Sequence, residues 1–146
     1  MPGGRCRVMP QVTAVDDRLG THKGDAGFVV GIARPTLLTT SARDGDPAAM
    51  LQRVRPVIDH CHGVGAWTQL WITIRALIET LSRAGRHREV ALLLGAQRAS
   101  ARATPEFGTD SARVRAAEDR ARAALGPDFN MLIAKGAALD DSDAVA

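Results

Sequence analysis

Apolar residues recur through the middle of the chain with the 3.6-residue period of amphipathic helices. Met50, Val54, Val57, Ile58 and Cys61 fall on one face of a helix. Asp46-Pro47 marks its start: the carboxylate can accept from the free amides of the first turn, and proline suits the first helical position. Pro56 lies inside this pattern and predicts a bend, because its ring removes an amide donor and crowds the preceding turn. Gly63-Val64-Gly65 ends the helix.

The next stripe is stronger. Trp67, Trp71, Ile74, Ile78 and Leu81 form one line, widened by Leu70 and Leu77, while Arg75, Glu79, Ser82 and Arg83 line the opposite face. Gly85 stands where helices commonly stop. The short loop after it forces an antiparallel neighbour over about residues 87–101, with Val90, Leu93 and Leu94 inward. TPEFG at 104–108 is a break. Asp110 or Ser111 then caps a helix reaching Leu125, with Val114, Ala117, Ala121 and Leu125 on one side, and Gly126-Pro127 closes it. A short helix over 128–135 offers Phe129, Leu132 and Ile133, and residues 140–146 read as the first turn of another.

The start of the chain is different. Residues 1–26 are rich in Gly, Pro and charge without a sustained period, which predicts an irregular segment with at most a short helix near 12–19. FVVGIA at 28–33 suits a strand or a buried helix equally. Pro35 makes a straight helix through the following LLTTSA costly, by about 3 kcal/mol. The chain thus divides into an irregular segment (1–26), a helix-pair repeat region (27–103) and a C-terminal helical extension (104–146).

Composition favours the same class. The 146 residues suit one domain. Aromatics are 3 %, three Phe and two Trp with no Tyr, so the core must be built from Leu, Val, Ile and Ala. That fits an all-α fold better than a β-sandwich. The formal charge of +3 is a mild excess, carried mostly by arginine, and does not by itself imply nucleic acid. Cys6 and Cys61 make no disulfide framework, which fits a reducing compartment. The first residues hold no apolar signal region, and no apolar stretch approaches the ~20 residues of a membrane span. The expectation is a cytoplasmic protein with no membrane contact.

Gly45 and Gly85 each stand between two helical segments, and Met50 and Val54 after the first match Val90 and Leu94 after the second. The second unit resembles the tetratricopeptide pattern at Leu77, Leu81, Gly85 and Leu94, and departs from it at Val90, where the pattern has a small residue. A longer stretch, GDPAAMLQRVRPVIDHCHGVGAWTQLWITIRALIETLSRAGRHREVALLLGAQRAS, resembles the helical tail of actinobacterial multidomain signalling ATPases. FGTDSARVRAAEDRARAALGPDF and KGAALDDSDAVA continue the likeness, which covers roughly residues 25–146. Some members of that class carry a LuxR-type DNA-binding domain and some an adenylate-cyclase-like domain. The chain departs at Pro35 and Pro56, where helix is expected, and at Cys61, where an aromatic is expected. The nucleotide-binding and DNA-binding segments of the class do not occur in it, so the resemblance implies a helical remnant of such a regulator. It also implies a role for Arg75, Glu79, Ser82 and Arg83, which match positions facing the peptide-holding groove of tetratricopeptide arrays.

Several clusters invite other chemistry. Asp59-His60-Cys61-His62 suggests a metal site, but His60 and His62 do not face each other on a helix, and Asp59 with His62 gives two ligands where four are usual. A Cys61–histidine nucleophile needs a base in reach and a group to orient it, which neighbours on one helix rarely provide. Gly63-Val64-Gly65 lacks the Lys and Ser or Thr of a phosphate loop, so no ATP binding is expected. Arg83, Arg86 and Arg88 cluster near Gly85 without interleaved stacking residues, so nucleic acid is not expected. No catalytic, cofactor-binding or metal-binding residue is assigned. The leading reading is a non-enzymatic interaction module that meets a protein partner or self-associates through the apolar run at 28–38. The alternative, a stand-alone DNA-binding regulator, needs a compact helix-turn-helix that these periodicities do not outline.

Overall fold

The structure, a computed structural model, describes residues 45–146. The expectations for the irregular N-terminal segment, the apolar run at 28–38 and Pro35 lie outside the described residues. Within them the chain is all-helical: α1 (Pro47–Gly63), α2 (Trp67–Arg83), α3 (His87–Ala99), α4 (Gly108–Leu125) and α5 (Asp128–Ala137), with no strand among the described residues.

Asp46 starts α1 as its sequence suggests. Its carboxylate accepts from the amides of Ala48 (3.4 Å) and Ala49 (3.2 Å), with Pro47 at the first helical position. Met50, Val54, Val57, Ile58 and Cys61 are all buried. The helix continues through Pro56, which lies on the exposed face, where solvent can take the carbonyl it frees.

The two turns that follow are one structure used twice. At the end of α1 the Gly65 amide donates to the His62 carbonyl (3.1 Å) and the Ala66 amide to the Cys61 carbonyl (2.8 Å). At the end of α2 the Gly85 amide donates to Ser82 (3.2 Å) and the Arg86 amide to Leu81 (2.9 Å). Gly65 (φ +70°) and Gly85 (φ +74°) take the left-handed conformation that this double bond requires. By hydrogen bonding, then, Gly65 is the counterpart of Gly85.

Among the described residues helix α2 touches α1, α3 and α4. Trp71, Leu70 and Ile78 are completely enclosed. Because neighbours surround α2, even its polar residues are buried. The hydroxyls of Thr73 and Thr80 donate back to the carbonyls of Gln69 (2.8 Å) and Ala76 (2.9 Å), which removes the cost of burying them.

Helix α4 departs from expectation at its start. It begins at Gly108, with Phe107 flanking it and no side-chain cap, so neither Asp110 nor Ser111 is the capping residue. Asp110 instead lies in the first turn, where a carboxylate interacts well with the helix dipole. Val114, Ala117 and Ala121 face inward, and α4 packs on both α2 and α3. Helix α5 runs two residues past the expected end and packs chiefly on α3 through Phe129, Leu132 and Gly136.

Candidate functional site

The four residues expected to line a groove begin on one face of α2 and part ways. Arg75 Nη2 donates to the Thr104 carbonyl and to Thr104 Oγ1 (2.9 Å), which anchors the α3–α4 connection across α2. Ser82 is buried, 4 % exposed, and its hydroxyl accepts from Arg120 Nε of α4 (2.9 Å). Arg83 reaches the other way and donates to the Gly45 carbonyl before α1 (2.6 Å). Glu79 is half-buried. The polar face of α2 is therefore partly roofed by α4, and Ser82 lies beneath that roof.

What remains open is a cleft between α2 and α4. Ile72, Arg75, Ala76 and Glu79 line it from α2, and Asp110, Arg113 and Val114 from α4, around a cavity of about 90 Å³. Spacings of three, four and seven residues put the α2 contributors on one face. Ile72 is 37 % exposed at the cleft, an apolar side chain off the buried stripe of its own helix. Arg113 Nη1 stands 3.8 Å from Asp110 Oδ1. Arg75 Nε is buried with no partner among the described residues. The cleft thus joins Arg75 and Glu79, which the sequence singles out, to Asp110, which it offers only as a helix cap, and to Arg113 and Ile72, which it does not single out. Two guanidiniums and two carboxylates around an apolar floor carry no net charge.

The other clusters are scattered by the fold. Asp59 pairs with Arg55 Nε (2.9 Å), Cys61 faces the core at 1 % exposure, and His62 Nε2 lies 3.2 Å from Ser142 Oγ. Burial pushes the Cys61 thiol above its ordinary value, which disfavours the thiolate. Arg86 is held by Glu89 through Nε (2.9 Å) and Nη2 (2.6 Å). Among the described residues no three His, Cys, Asp or Glu side chains are grouped to hold a metal ion, and no helix is long and apolar enough to cross a membrane.

No protein-family model matches the chain, and no curated protein or solved structure shows a significant match.

Proposed function

We propose that this chain is a helical protein-interaction module, tetratricopeptide-like in its paired helices, of the kind at the helical end of the signalling ATPases and LuxR-type regulators it resembles. It acts by binding a partner protein, not by catalysis, and not by binding ATP or nucleic acid. The observation that carries this reading is the α2–α4 cleft, where an apolar floor of Ile72 and Val114 is ringed by Arg75, Glu79, Asp110 and Arg113. A cavity of about 90 Å³ suits a single side chain. Protein partners are commonly held by one anchor side chain in such a pocket, with a polar rim that excludes water. The balanced rim charge favours the alternating donors and acceptors of a peptide backbone over a polyanion, whose binding needs several unopposed cations.

A photo-crosslinking residue placed at Ile72 tests the proposal in the native cells. The same residue at Met131, which is 57 % exposed on α5, serves as the control. A discrete protein adduct should form from position 72, be absent from position 131, and disappear when Glu79→Lys is added. Adducts that are the same from both positions, or indifferent to Glu79→Lys, would remove the cleft from the function.

A further inference from the structure

Away from the α2–α4 cleft, residues 140–146 fold back as a strap against α1 and the α3–α4 connection. The strap is one capped turn: Asp140 Oδ1 accepts from the Asp143 amide (2.7 Å), and the Asp140 carbonyl accepts from the Ala144 amide (2.9 Å). Arg102 Nη1 lies 3.6 Å from Asp141 Oδ2, Ser142 Oγ meets His62 Nε2 at 3.2 Å, and Arg55 Nη1 donates to the Ala146 carbonyl at 2.8 Å. Ala144 and Val145 pack against the core.

The surface beneath is organised around Trp67. The Arg102 guanidinium stacks 4.3 Å from the centre of an indole ring, and His62 meets the indole edge-on at 5.4 Å. Helix α1 and the α3–α4 connection thus aim Arg55, His62 and Arg102 at one place, and an aspartate-bearing segment with small aliphatic side chains occupies it. A single turn does not hold its shape alone in water, so docking imposes the conformation of the strap. The docking is light. The Arg55 and Arg102 side chains remain 58 % and 54 % exposed, and a hydrogen bond and an ion pair this wet are weakened by solvent, the ion pair also by salt. A segment held by few apolar contacts and exposed polar ones opens without the rest of the fold.

We propose that residues 140–146 are a releasable intramolecular ligand, and that the Arg55–His62–Trp67–Arg102 surface is a docking site for acidic protein segments of the same chemistry. Tethering holds the strap at an effective concentration on the order of millimolar, so the site is masked until a competing segment displaces it.

The full-length chain tests this through Trp67 fluorescence, since Trp71 is fully enclosed and lies apart from the strap contacts. The strap is released with Asp141→Arg and Val145→Asp, and the probe is a synthetic peptide of residues 138–146. The released chain should show red-shifted emission at unchanged helicity and bind the peptide at least about tenfold more tightly than the parent chain, the margin a millimolar tether sets for a segment that binds at about 0.1 mM or tighter. Adding Arg102→Glu should abolish that binding. In a separate pair, Arg102→Asp or Asp141→Arg alone should red-shift the emission, and the two together should restore it. Equal affinity of parent and released chains, no binding by either up to a few millimolar peptide, or a charge swap that fails to restore the emission would each overturn the proposal.

Discussion

Gly95 of α3 and Gly136 of α5 each rest directly on the backbone of the other's helix. A Cβ on Gly95 would overlap the Ile133 carbonyl, and one on Gly136 would overlap the Leu92 carbonyl. The contact is reciprocal, which lets the backbones of α5 and α3 meet at these two points with no side chain between them.

The first prediction uses the sign of this effect. Glycine inside a helix is normally a weakness of about 1 kcal/mol relative to alanine. Gly95→Ala and Gly136→Ala should nevertheless each destabilise, by about 1–3 kcal/mol, because the added methyl meets main chain that cannot rotate aside. Gly63→Ala, at a position with nothing within 4 Å, should be neutral or stabilising by up to about 1 kcal/mol. Urea unfolding of the three variants checks the contrast. Stabilisation by Gly95→Ala would show that α3 and α5 are not in backbone contact.

Trp71 gives the second. It is completely enclosed beside Leu70 and Ile74. Trp71→Ala should cost about 3–5 kcal/mol by equilibrium unfolding, from lost burial and the cavity left behind. A loss below about 1 kcal/mol would mean that Trp71 is not part of the core.

The third concerns acid stability. Burial raises the Glu118 carboxyl, but the hydrogen bond and charge of Arg98, joined by those of Arg122, outweigh it and hold the group below its usual range. Glu118 Oε2 lies 2.5 Å from Arg98 Nη2 on α3, and Oε1 lies 2.9 Å from Arg122 Nη2 on its own helix. A lowered folded-state pKa means that this stabilisation is present above the ordinary glutamate value of ~4.3 and is lost as pH falls through the folded value. Glu118→Gln should cost about 1 kcal/mol at pH 7, and the difference from the parent chain should shrink as pH falls below about 4. Chemical unfolding from pH 7 to pH 3 measures it, and a pH-independent difference would rule the ion pairs out as its source.

The apolar stripes were legible because a helix buried against neighbours must repeat its contacts every turn. Met50, Val54, Val57, Ile58, Cys61, Trp71, Ile74, Ile78, Leu81, Val90 and Leu94 are all buried as the periodicity implies. Ser82 was not legible. A polar stripe looks the same whether water or another helix covers it, and α4 reaches Ser82 with Arg120 from far along the chain. Gly95 was equally silent, since the backbone that requires it, at Ile133, lies on a helix two elements later. The α4 start was misplaced because Asp110 and Ser111 look like caps, while the actual flanking residue, Phe107, is 79 % exposed and caps nothing. At the cleft, Arg75 and Glu79 were visible. Ile72 shares their helical face off the apolar stripe, and that misplaced apolar position is the trace of the cleft floor in the sequence.

The most direct measurement is the affinity of the protein captured at Ile72, purified and titrated by calorimetry against the parent chain and against Glu79→Lys and Arg113→Glu. Both substitutions reverse a charge at the rim of the cleft, and neither residue belongs to the buried core. The expected result is a loss of at least about tenfold for each, with helicity and unfolding midpoint unchanged, as for rim charges around an anchored side chain. Affinity equal to the parent chain in both variants would contradict a binding function for the α2–α4 cleft.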